Sequence, residues 1–108
     1  MTKYLLVYHT GSTPESEEEG EKVMAAWMSW FGVLGAAVLD GGNPTGASST
    51  ISADGSVSEG GGPNPTSGFS LIEADSLAAA LELAKGCPQL LSGGSVEVCE
   101  TIDIGPPA

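Results

Sequence analysis

An α+β fold, with two helices packed on one antiparallel sheet, is what this 108-residue sequence predicts. Three observations carry the prediction. Short runs of β-favouring residues alternate with two segments whose apolar residues recur at helical spacing, in the order β-α-β-(hairpin)-β-α-β. Both helical segments carry recognisable start and stop chemistry. That order, closed by two right-handed crossovers, is the split βαβ or ferredoxin-like pattern.

Lys3 to His9 reads as the first strand, stopped by Thr10-Gly11-Ser12. Both of its faces are apolar, with Leu5 and Val7 on one and Tyr4, Leu6 and Tyr8 on the other. A helix follows, capped either by Thr13 with Pro14 behind it or by Ser16 with Glu19 three residues on. Glu15, Glu17, Glu18 and Glu19 suit the positive end of its dipole. Val23, Trp27, Trp30 or Phe31, and Leu34 form its apolar stripe, and Gly35 stops it. At that spacing the two tryptophans, with Met24 and Met28, read as core or contact residues and not as a cofactor box.

Ala36 to Asp40 is the second strand, ended by Gly41-Gly42-Asn43-Pro44. Thr50-Ile51-Ser52 and Val57-Ser58 flank Ala53-Asp54-Gly55-Ser56 and predict a small hairpin. Residues 59–67 read as a glycine-rich loop, a lid rather than a phosphate cradle, since the Gly-Lys-Ser/Thr ending is missing. Phe69 to Glu73 is the next strand. Asp75 or Ser76 caps a second helix with Leu77, Leu81 and Ala84 as its stripe; Lys85, Gly86 and Pro88 end it. Ser95 to Thr101 is the last strand, and Gly105-Pro106-Pro107 follows it.

Length and a hydrophobic fraction of 41% are those of one globular domain over residues 1–108. The net charge of −11, with 14 acidic residues against three lysines and no arginine, argues against nucleic acid and anionic membranes as partners. It suits solubility, or a basic protein partner. Cys87 and Cys99 form no metal-ligand pattern and read as structural thiols; no metal or cofactor is expected. The apolar run at the N-terminus is too short for a signal peptide or a membrane span, so the expected location is cytoplasmic. Two helices can cover only one face of a four-stranded sheet. An apolar second face therefore predicts a homodimer, sheet against sheet.

Lys3-Tyr4-Leu5-Leu6, Asp40-Gly41-Gly42-Asn43-Pro44, Gly68-Phe69-Ser70-Leu71-Ile72-Glu73-Ala74-Asp75-Ser76, Ala84, Pro88 and Val96-Glu97-Val98 occur in an order that resembles the YCII-related family. Its larger branch is named for a DGPF motif. The resemblance implies a dimeric α+β barrel. Where that motif would fall the chain reads Asp54-Gly55-Ser56-Val57, and its first helix lacks the histidine that some members place in a His–Asp pair.

His9, the sole histidine, ends the first strand, and Asp40 ends the second. In the expected sheet order these strands are parallel with one strand between them, which sets the two backbones roughly 10 Å apart, facing one small ligand. Such a pair could perform acid–base catalysis near neutral pH. The plainer alternative is a strand-end histidine and a turn-forming aspartate. Tyr8, Ser70, Glu73, Glu97 and Cys99 are further candidates to line the barrel, and Glu97, if buried unpaired, would titrate high. The expected function is a homodimeric small-molecule-binding barrel doing cofactor-free isomerase- or lyase-type chemistry. The alternative is a non-enzymatic regulatory module, which the resemblance links to sigma-factor-type transcription control.

Overall fold

The computed structural model describes residues 1–11 and 14–105. The alternative cap Thr13, the strand stop at Ser12 and the closing prolines Pro106 and Pro107 lie outside the described residues. Strand β1 spans Thr2–His9, helix α1 Glu17–Leu34, β2 Val38–Asp40, β3 Ser49–Ile51, β4 Val57–Glu59, β5 Thr66–Ala74, α2 Leu77–Ala84 and β6 Ser95–Glu100. The main sheet runs β2-β5-β1-β6 and its neighbours are antiparallel. This is the ferredoxin-like α+β arrangement the sequence predicts. The sheet is open: one chain does not close it into a barrel. β3 and β4 form a separate two-stranded sheet, its tip held by Asp54, whose carboxylate accepts from the Ser56 amide and hydroxyl.

Local chemistry explains the helix boundaries. Ser16 caps α1, its hydroxyl accepting the Glu19 amide at 3.1 Å, while the Glu19 carboxylate accepts the Glu15 amide. Gly35 takes the positive φ of 56° that ends the helix. Residues 35–37 then form a 3-10 turn, so β2 begins at Val38 instead of Ala36. Ser76 caps α2 in the same way, through the Ala79 amide.

The core lies between the helices and one face of the sheet. Tyr4, Leu6 and Tyr8 of β1 and Ser70, Ile72 and Ala74 of β5 alternate into it. Trp30 and Leu34 meet them from α1, with Trp27 and Phe31 partly buried. The Trp30 indole N–H donates to the Leu83 carbonyl at 3.0 Å, which ties α1 to α2. Each fully buried side chain such as Leu6 or Ile72 contributes about 2 kcal/mol. The stripe of α2 differs from expectation. Ala80 and Ala84 are buried and Leu83 half-buried, whereas Leu77 and Leu81 are exposed. That helix is apolar almost all round, so periodicity alone does not choose its inner face.

After Asp40 the chain continues beside β5: Pro44 bridges Gly68, and the Phe69 amide donates to the Asn43 carbonyl at 3.2 Å. Gly42, at φ +70°, makes that course feasible, because a Cβ there would overlap the Phe69 carbonyl. Among the described residues, no helix is long and apolar enough to cross a membrane.

Candidate functional site

The face of the sheet away from the helices carries Leu5 and Val7 of β1, Phe69 and Leu71 of β5 and Cys99 of β6, all half-buried in the single chain. His9 and Glu97 stand at one end of it. In the β1–β6 register Val7 faces Glu97 and His9 faces Ser95, so Glu97 is the diagonal neighbour of His9. The His9 Nε2 lies 3.0 Å from Glu97 Oε1, with the imidazole 10% and the carboxylate 60% exposed. The other ring nitrogen, Nδ1, lies 3.1 Å from the Asn64 carbonyl oxygen, in the loop that precedes β5.

This pairing sets the electrostatics. The hydrogen bond from His9, reinforced by the Cys99 thiol at 3.5 Å, holds the Glu97 carboxyl below the usual carboxylate range. Burial and the adjacent carboxylate push the Cys99 thiol up, so it is a thiol and not a nucleophilic thiolate. Buried Cys87 is raised to about 11, chiefly by desolvation.

Gln89 builds the strand end that presents His9. It sits in the 3-10 turn Pro88–Ser92 and is itself buried. Its side-chain amide donates to the backbone carbonyls of His9 at 3.0 Å and Thr10 at 2.5 Å, and faces the Ser67 hydroxyl at 3.2 Å. Thr10 has φ 51°, a left-handed conformation that a non-glycine residue adopts only when held. Gly94 makes room for the amide: a Cβ there would lie 2.6 Å from the His9 carbonyl oxygen and collide with Gln89.

The other predicted site residues fall elsewhere. Asp40 does not share a ligand position with His9. Its strand partner is Leu71, which pairs with Leu5, whereas His9 pairs with Thr66. That is four residues along the sheet, roughly 13 Å, so the separation is about 16 Å and not 10. The Asp40 carboxylate instead accepts the Gly42 amide at 2.8 Å and shapes the turn. Glu73 pairs with Lys3, at the opposite end of β1 from His9. Tyr8 and Ser70 face the helices, so the sheet separates them from Glu97. The Tyr8 hydroxyl donates to Ser70 at 2.7 Å, and Ser70 donates on to the Gly41 carbonyl at 2.7 Å. Burial raises the Tyr8 phenol to about 12.

The His9–Glu97 contact was within reach of the sequence. The expected order sets the last strand antiparallel to the first, which brings its start beside His9, and Glu97 lies two residues in, on the same face as Val7. Gln89 carried no such signal, because an amide directly after the stop residue Pro88 resembles any loop residue.

An open-faced, two-helix α+β sheet with an imidazole–carboxylate pair at the end of its uncovered face is the class these features define. The YCII-related domain model matches residues 3–104, and the chain belongs to that family. Comparison with curated proteins gives no match. The family's motif position, Asp54 to Val57, falls at the tip of the β3–β4 hairpin, where Asp54 serves the turn.

Proposed function

We propose that the protein is a homodimer that binds a small organic molecule between two facing sheets and performs cofactor-free acid–base chemistry with His9 and Glu97. The observation that carries this reading is the 3.0 Å contact between His9 Nε2 and Glu97 Oε1 on the uncovered face. Asn64 O and Glu97 are both acceptors, so one proton shared along the Nε2–Oε1 line is the mobile one. Glu97, exposed and held ionised, is the base; His9 is the acid that returns the proton. Glu97 thus takes the role the sequence suggested for Asp40. The half-exposed Leu5, Val7, Phe69 and Leu71 support the second copy, since covering them removes apolar surface from water and closes the barrel around the pair.

Sedimentation velocity and a ligand screen test this together. The screen follows the imidazole signal of His9 by NMR across small hydroxy acids, keto acids and lactones. The expected result is a dimer whose His9 signal moves with a subset of compounds, an effect lost in Glu97→Gln. A monomer, or a dimer whose His9 signal is indifferent to every compound, overturns the reading and returns attention to the regulatory alternative.

A further inference from the structure

We infer that residues 60–65 are a positioning element that fixes which nitrogen of His9 keeps its proton in the neutral ring. A neutral imidazole has one N–H and one lone pair, and the hydrogen bond at one nitrogen decides the state of the other. His9 has acceptors at both: the Asn64 carbonyl at 3.1 Å from Nδ1 and Glu97 at 3.0 Å from Nε2. The imidazolium satisfies both. When the ring gives up a proton, one contact must lose its hydrogen, and the structure decides which.

The Glu97 side chain is 60% exposed and can turn into water by bond rotation alone. The Asn64 carbonyl cannot. It lies within Pro63-Asn64-Pro65, where both prolines have a fixed φ and the residue before Pro65 is held extended. The same segment is pinned again by the Thr10 amide, which donates to the Pro65 carbonyl at 3.3 Å. The Nδ1 proton therefore stays on the loop, and Nε2 loses its own. Gly60, Gly61 and Gly62 supply the bend that leads the chain to this rigid tip, a use for the glycine run that needs no phosphate. Among the described residues, the titratable group hydrogen-bonded to the ring is Glu97, which the Cys99 thiol contacts in turn; Gln89, which holds the His9 backbone carbonyl, and Ser67 beside it carry no charge.

The inference rests on the His9–Glu97 reading for its purpose, but its test needs neither ligand nor turnover. His9 is the only histidine, so ring ¹⁵N shifts in the full chain report one imidazole. The neutral ring is expected as the Nδ1–H form, the reverse of free histidine, with the backbone amides of Gly60, Gly61, Gly62, Asn64 and Thr66 unmoved when the ring changes protonation. In Pro63→Gly/Pro65→Gly, with the sheet intact by circular dichroism, the Nε2–H form is expected to become the major one. A neutral wild-type ring found as Nε2–H overturns the inference, as does an Nδ1–H form that survives the loosened loop. A positive tautomer result with no ligand found anywhere sinks the catalytic proposal and leaves this one standing.

Discussion

Replacing Gln89 with leucine removes the clamp beneath His9 while nearly preserving volume. The side-chain amide has two hydrogens for three acceptors, the carbonyls of His9 and Thr10 and the Ser67 hydroxyl. The hydroxyl can rotate to another partner, and Thr10 is exposed, so its carbonyl regains water. Each lost bond costs about 1 kcal/mol, and the buried His9 carbonyl, left without this donor, adds about 1 kcal/mol more. The sum is about 3 kcal/mol. For a chain of this length that lowers Tm by roughly 12–24 °C. Urea unfolding followed by circular dichroism reads the free energy, and the His9 ring signal reads the site. Gln89→Glu supplies a sign. An ionised carboxylate offers no donor to those carbonyls, so folding disfavours its charged form and its folded titration lies above the ordinary carboxylate range. Its deficit against wild type is therefore smallest in acid and grows as pH rises through that folded value. A loss under ~1 kcal/mol for the leucine variant, with an unchanged His9 signal, would refute the assignment of Gln89 as the clamp.

Glu97 is held below its usual range by the His9 hydrogen bond, so the pair adds stability above the unfolded carboxyl titration and loses it as pH falls through the lower folded value. Urea midpoints compared between pH 6 and pH 3 are expected to fall less in Glu97→Gln than in wild type. Tyr8, raised to about 12 by burial, favours the folded state below the unfolded phenol titration near 10, an advantage lost as pH rises through 12. Tyr8→Phe is expected to cost about 1 kcal/mol at pH 7 through the missing bond to Ser70. It is also expected to blunt unfolding in alkali, read by ultraviolet absorbance alongside circular dichroism.

Much of the fold was legible because its signals are local. The β-favouring run Lys3 to His9, the Ser16 and Ser76 caps and the Asp54 turn each act within a few residues, and each stands where its chemistry put it. The start of β5 was not legible. Thr66-Ser67-Gly68 has loop composition, yet Gly68 pairs with Tyr8 and bridges Pro44, where a Cβ would come within 3.2 Å of the Asn43 carbonyl. Small size there serves a close approach of strands, which composition does not separate from a turn. The site failed at a different level. Strand order was legible, but the register of β2 on β5 was not: Asp40 stands level with Leu71 and so with Leu5, four residues short of His9, and the bulge between Val38 and Asp40 accounts for only one of those four. Register is a property of partners, and His9 found its carboxylate on β6 instead.

β1 is central in the sheet, yet both of its neighbours come late in the chain: Thr2 pairs with Ala74 and Tyr4 with Glu100. No sequential hairpin can shelter it during synthesis. Its tyrosines and leucines must wait, unpaired, until β5 and then β6 emerge, and loop closure of that span makes for slow, late folding. The His9–Glu97 contact, which bridges 88 positions, can exist only once the sheet is finished. A chain halted before residue 95 lacks β6, so it holds only the first crossover and cannot form the pair; the contact arrives with completion of the fold.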